Sequence, residues 1–305
     1  MKIPDLPISL ATVAAQATAL TQQSAQSESW QAALKLGFCH EHGRTVLRER
    51  SHFGPLRIQK PLYPEGDGCC HVLIVHPPGG IAGGDQLSMT VRLDNRTHAF
   101  VTTPGATKWY GGKPQHSSQS THITLRPGAR LEWLPQENIV FNQALACSKT
   151  CIDVMEDTQL IAWDVTVLGR KAMQETFAQG CFQPSFELLK NGQLLWADYG
   201  KINGGDALLS SPLGLAGRHV FGTLCAYGLA TLTVTERDAL LERLREVGLA
   251  EGDSAGISYL PQGVLLVRVI SHQAETARHY LCVLWQILRP IMMKVAPVMP
   301  RIWAT

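Results

Sequence analysis

LSMTVRLDNRTHAFVTT, residues 87–103, settles the fold class. Leu87, Met89, Val91 and Leu93 alternate with polar partners, the period of a strand with one face buried. Asp94-Asn95 interrupts the run, and the apolar pattern resumes through Phe100. Outward from there, THITLRPGARLEWLP (121–135) repeats the device around Pro127-Gly128, and SFELLKNGQLLWADY (185–199) does so around Asn191-Gly192. Asn-Gly suits positive φ at both positions and predicts a type I′ hairpin. From Leu34 to about Tyr227, short strands and tight turns follow one another without intervening helices. That succession predicts a meandering or coiled all-β body and excludes a doubly wound sheet. No fixed-period repeat of the propeller kind is present.

Helix enters late. TVTERDALLERLREVGLAEG gathers Leu240, Leu241, Leu244 and Val247 on one side, with Thr233 or Thr235 as cap and a stop near Gly248. A strand, GVLLVRVISH, follows. A last helix is predicted from about Gln273 to Leu288, ending at Arg289-Pro290 because proline disfavours helix in the residue before it. Two helices flanking a strand make a small α/β corner on the β body. With no linker between them, residues 30–305 read as a single domain, preceded by a mobile, Ala/Thr/Gln/Ser-rich extension over residues 1–29.

The chain of 305 residues carries a formal net charge of +2 with its basic residues dispersed, so there is no electrostatic footprint for nucleic acid or an anionic membrane. No stretch approaches the roughly 18 uncharged apolar residues of a spanning helix. Eight cysteines are spread through the chain without a C-x-x-C pair, which excludes a zinc ribbon and fits a reduced, cytoplasmic protein. The nearest approaches to ligand spacing are Cys69-Cys70-His71 and Cys147-x-x-x-Cys151.

HPPGGIAGGDQL, residues 76–87, has four glycines in six positions. Gly79 and Gly84 stand at the spacing of a phosphate loop, but Asp85 and Gln86 occupy its lysine and hydroxyl positions. A carboxylate there repels an anion, so the nucleotide reading fails. The loop brings a carboxylate beside bare backbone, which suits a cation, a packed partner, or a tight turn whose amides Asp85 caps.

Catalytic constellations are missing. Ser210, Ser211 and Ser254 lie outside any G-x-S-x-G elbow, and His40-Glu41-His42 is too tight for a zinc-protease helix. Glu132 with Glu137, or Asp164 with Asp198, could form a carboxylate pair of the glycosidase kind. Asp85, Asp164 and Glu137 sit among apolar β residues, where an acid is expensive unless paired or bound to metal. Either arginines such as Arg170 and Arg218 or backbone amides satisfy them, or with His76 they line a passage for a divalent cation.

RERSHFGPLRIQKPLYPEG (48–66), CHVLIVHPPGGIAGGDQL (70–87), TTPGATKWYGG (102–112), EWLPQENIVF (132–141), SPLGLAGRHVFGTL (211–224) and PRIWAT (300–305) together resemble the UreD family of urease accessory proteins, called UreH in some bacteria. The resemblance runs from about Leu34 to Thr305; Ala162 departs from it, standing where many members are expected to carry another acid. It implies a non-catalytic, β-helix-like scaffold with a pair of helices. Its implied partners are UreF, the GTPase UreG recruited through UreF, and apo-urease, with two copies of this chain in the assembled accessory complex. No cofactor is tightly held; nickel passes transiently along an internal tunnel toward urease. Carried over motif by motif, the metal-contacting positions are Asp85, Thr107, Asp164 and Asp198, beside His76 and Glu137 from the residues themselves. The late helices and PRIWAT, expected as a strand, would dock UreF with Trp303 as anchor. A carbohydrate-active enzyme on a β-helix is the alternative.

Overall fold

The computed structural model describes residues 29–304; all of the expected N-terminal extension except Ser29 lies outside the described residues. Two sheets face each other. The first runs, in spatial order, through strands Gln193–Tyr199, Cys181–Lys190, Leu145–Val154, Ser117–Leu125, Gln86–Leu93, Gln31–Glu41 and Arg44–Phe53, with Ile202–Asn203 added to Cys181–Lys190. The second runs Ser254–Leu260, Val264–Ser271, Val220–Tyr227, Gln159–Leu168, Arg130–Trp133, His98–Thr102, Cys70–Val75 and Arg57–Ile58. The short strands Gly80–Ile81, Thr107–Trp109 and Asn138–Val140 stack in parallel beside it.

The body is therefore mainly β and coiled, a solenoid-like stack in which the chain alternates between the two sheets. Neighbouring coils pair in parallel, Gln86–Leu93 on Ser117–Leu125 and that on Leu145–Val154. Asp94-Asn95 and Pro127-Gly128 are corners between sheets, not hairpin turns. These corners stack, the Arg96 amide donating to Pro127 O and the Gly128 amide to Glu156 O. Of these three turns Asn191-Gly192 alone closes a hairpin, with φ of +51° and +76° as the type I′ reading requires.

Alternation fixes which side chains meet. Gln86–Leu93 buries every second residue, and so does Leu145–Val154. Rows form across the inner face: Val91, Ile123 and Ile152 in one, Leu93, Leu125 and Val154 in the next. These apolar rows meet Ala99, Val101, Leu131 and Leu160 of the second sheet in the inter-sheet core. Gln159–Leu168 is buried almost throughout because the helix Ala274–Met292 packs on its other face.

The described residues form three α-helices, α1 (Ala207–Ser210), α2 (Val234–Arg245) and α3 (Ala274–Met292). α2 begins at the Thr233 capping box with Glu236 and buries Leu240, Leu241 and Leu244. α3 departs from expectation. It passes through Pro290 to Met292, and the Met293 amide closes the last turn on Arg289 O at 2.7 Å. Pro290 sits in the final turn, where little helix remains for a missing amide to disturb, and burial of Leu288, Arg289 and Met292 holds the chain in place. α1 and the strand Ser254–Leu260 have no counterpart in the sequence reading.

Residues 301–304 form a single 3₁₀ turn, not a strand. Trp303 packs onto its own protein, with ring centroids 5.4 Å from Trp163 and 5.8 Å from Phe100 and Trp285, and its indole donates to Thr102 Oγ1 at 2.9 Å. Trp303 is thus half-buried against its own chain.

Candidate functional site

Two rows of the first sheet break the apolar pattern. In parallel register, Leu87 stands beside Gln119 and Ser148, and Met89 beside Thr121 and Thr150. Facing them, Thr107 pairs with Asn138 and Asn138 with Thr166. Between the two faces lies a cavity of ≈ 230 Å³, bounded also by His76, Gln136 and Asp164. None of Gln119, Thr121, Ser148 and Thr150 has a side-chain hydrogen-bond partner among the described residues. Polar groups left unpaired inside a fold are stable only where water or a cation reaches them.

Asp164 links this cavity to a second of ≈ 400 Å³, whose wall it shares with Thr166, Asp198, Tyr199, Phe221 and Arg268. Its carboxylate accepts from Asn138 Nδ2 at 3.0 Å, and among the described residues no basic side chain pairs with it. Burial pushes its pKa up from the ordinary aspartate range, although hydrogen bonds from Asn138 and Thr166 pull the other way. Asp198, at the far side, is half-exposed and ion-paired to Arg268 at 2.9 Å.

His76 borders the inner cavity, and its Nε2 is buried without a hydrogen-bond partner among the described residues. Burial lowers its pKa, and the charge of Asp85 opposes that only in part. Thr107 lies on the same wall. Thus His76, Thr107 and Asp164 come together, and Asp198 joins through the second cavity.

Asp85 and Glu137 have other partners. The Asp85 carboxylate accepts the Trp30 amide and the Ala82 amide, both at 2.8 Å, and is almost fully buried in doing so. The glycines serve that turn: a Cβ at Gly80 would meet the Tyr110 ring at 2.4 Å, and Gly84 has φ of +95°. Glu137 pairs with Arg278 of α3 at 3.5 Å, while its neighbours Gln136 and Asn138 line the cavity. Arg170 and Arg218 serve elsewhere, Arg170 on Glu175 and Arg218 on Gly252 O.

A second cluster contains Glu132 and Cys69-Cys70-His71, which the sequence singled out separately, with partners it did not indicate. Arg289 of α3, fully buried, lies between Glu65 and Glu132, with contacts of 2.6 and 2.9 Å. His71 bonds Glu65 at 2.7 Å, His98 bonds Glu132 at 2.9 Å, and the Trp285 indole donates to Glu132 at 2.6 Å. Glu65, Cys69 and His71, and likewise Cys69, His98 and Glu132, bring potential ligand atoms within 4.8 Å of one another. The guanidinium already supplies the cation there, and the carboxylate oxygens are hydrogen-bonded. Burial alone would raise the Glu65 carboxyl, but His71 and Arg289 bring it down to about 2. The cluster fastens α3 to the second sheet. Cys69-Cys70-His71 contained half of it, but Arg289 lies far away in sequence.

The family model for the UreD urease accessory protein matches residues 31–304. The chain belongs to the UreD family. It is 44% identical over 284 residues to the urease accessory protein UreD of Dechloromonas aromatica, covering 93% of this chain and 97% of that protein. The UreD proteins of Pseudomonas fluorescens and Ralstonia nicotianae are 45% and 43% identical, each over 91% of this chain and 96% and 95% of their own lengths. All are named accessory proteins. In the family's terms, the resemblance found in residues 70–87, 102–112 and 132–141 is the wall of the inner cavity and its supports: His76, Thr107, Gln136 and Asn138 lie on it. Among the described residues no helix is long and apolar enough to cross a membrane.

Proposed function

We propose that this chain is a non-catalytic scaffold of urease maturation, joining UreF and, through it, the GTPase UreG to apo-urease in the cytoplasm, with two copies in the assembled complex. Nickel is its transient cargo, conducted from the inner cavity past Asp164 to the surface beside Asp198. The observation that carries this reading is the position of Asp164, on the wall of both cavities and without a basic partner. Hydroxyls and amides coordinate a divalent cation weakly, and the Asp164 carboxylate adds a single anionic oxygen ligand among them. Such a path lets an ion enter without trapping it. Membership of a urease accessory family supports a role beside urease, and the choice of UreF, UreG and nickel follows the resemblance in the sequence.

The test is Asp164→Asn, which keeps shape and removes the charge. With complex levels matched by co-purification, nickel per urease active site is expected to fall severalfold while UreF and UreG remain bound. An unchanged nickel load would sink the conduit.

A further inference from the structure

We infer that His76 sets the cation selectivity of the inner cavity, as the nitrogen ligand that favours a borderline-soft transition cation over Mg²⁺ or Ca²⁺. This rests on the conduit reading. Apart from His76 and the Met89 thioether, the groups on that wall able to ligate a cation offer oxygen: the hydroxyls of Thr107, Thr121 and Thr150, the Asn138 amide and the Asp164 carboxylate among them. Oxygen alone suits hard cations, whereas imidazole shifts preference toward nickel, cobalt, copper and zinc. With a single imidazole and one thioether in an otherwise oxygen-lined wall, His76 is the nitrogen able to favour a borderline cation.

His76 has the features this role needs. A core histidine with a structural role normally satisfies its ring nitrogens, but neither nitrogen of His76 has a partner among the described residues, and Nε2 is buried as well. The carboxylate that acts on it, Asp85, is held by the Trp30 and Ala82 amides. The backbone is fixed by a turn, the Gly79 amide donating to His76 O at 2.8 Å with Pro77 and Pro78 between. The turn holds the backbone in place, and the unpartnered ring nitrogens leave a lone pair for a ligand.

The experiment compares the full chain in its accessory complex with His76→Gln and His76→Cys variants, titrated with NiCl₂, CoCl₂ and MgCl₂ by equilibrium dialysis. His76→Gln is expected to weaken nickel and cobalt binding by about tenfold or more while leaving magnesium unchanged, and His76→Cys, a soft ligand, to restore the preference. X-ray absorption of the nickel-loaded wild type should carry an imidazole signature that His76→Gln removes, a reading that still stands if the variant folds poorly. An equal nickel preference in His76→Gln, or no imidazole in the wild-type spectrum, would overturn the assignment and leave the conduit standing. If the wild type takes up no cation and Asp164→Asn changes nothing, both fall together.

Discussion

Asp85 and Asp164 are both acids set among apolar strands, and the fold uses them in opposite ways. Asp85 accepts two backbone amides and closes a turn; Asp164 keeps one amide partner and faces two cavities. Asp85→Ala is therefore expected to lower stability by about 1 to 3 kcal/mol, the usual consequence of leaving buried amides unpaired. Denaturant midpoints measure it, and nickel load should fall only as far as soluble protein falls. Asp164 predicts the reverse. An acid whose pKa is raised on folding binds more protons in the native state than in the unfolded one, so its contribution to stability declines as pH rises above its unfolded pKa of 3.8. As pH rises above 3.8 the wild type should lose more melting temperature than Asp164→Asn. A parallel pH dependence in the two would mean that the carboxyl ionises freely.

The strands and α2 were legible because each carries its own local signal: alternation, Asn191-Gly192, the Thr233 capping box. Whether the Asp94-Asn95 turn closed a hairpin or turned a corner was not, since that is decided by which distant strand the next segment meets. Asp164 and His76 stood out as polar residues in apolar company, but Arg289, which follows Leu288 in a helix, gave no sign of its partners more than a hundred residues upstream. The proline rule also failed there, because burial of α3 outweighs one lost helical bond. Removing the cation should show how much α3 depends on the cluster. Arg289→Met leaves Glu65 and Glu132 buried without their counterion, and a loss of about 3 to 5 kcal/mol is expected by thermal or denaturant unfolding. Acid should act on the same contacts. The Glu65 and Glu132 carboxyls are held below the ordinary value of 4.5, Glu65 at about 2, so their stabilisation is complete above pH 4.5 and lost as pH falls toward 2. Melting temperatures that stay flat from pH 5 to 3 would contradict this.

Across the whole molecule, the coil stack divides its interior in two. The rows through Val91 and Leu93 pack as an ordinary core, while the rows through Leu87 and Met89 place hydroxyls and amides inward where the same alternation would accept valine or leucine. A fold selected for stability alone gains nothing from Thr121 and Thr150 here, because an unpartnered inward hydroxyl forgoes burial without a compensating hydrogen bond. Their presence is intelligible if that half of the interior must hold water or a hydrated ion. Thr121→Val with Thr150→Val keeps the shape of each side chain and removes both hydroxyls, so the two roles separate. If the polar rows exist for passage, the double variant should unfold at the same temperature as the wild type or higher, recruit UreF and UreG normally, and deliver less nickel per urease site at matched complex levels. If they exist for folding, stability should drop and delivery should track the amount of folded protein. Full delivery by a stable double variant would show that the ion takes another route.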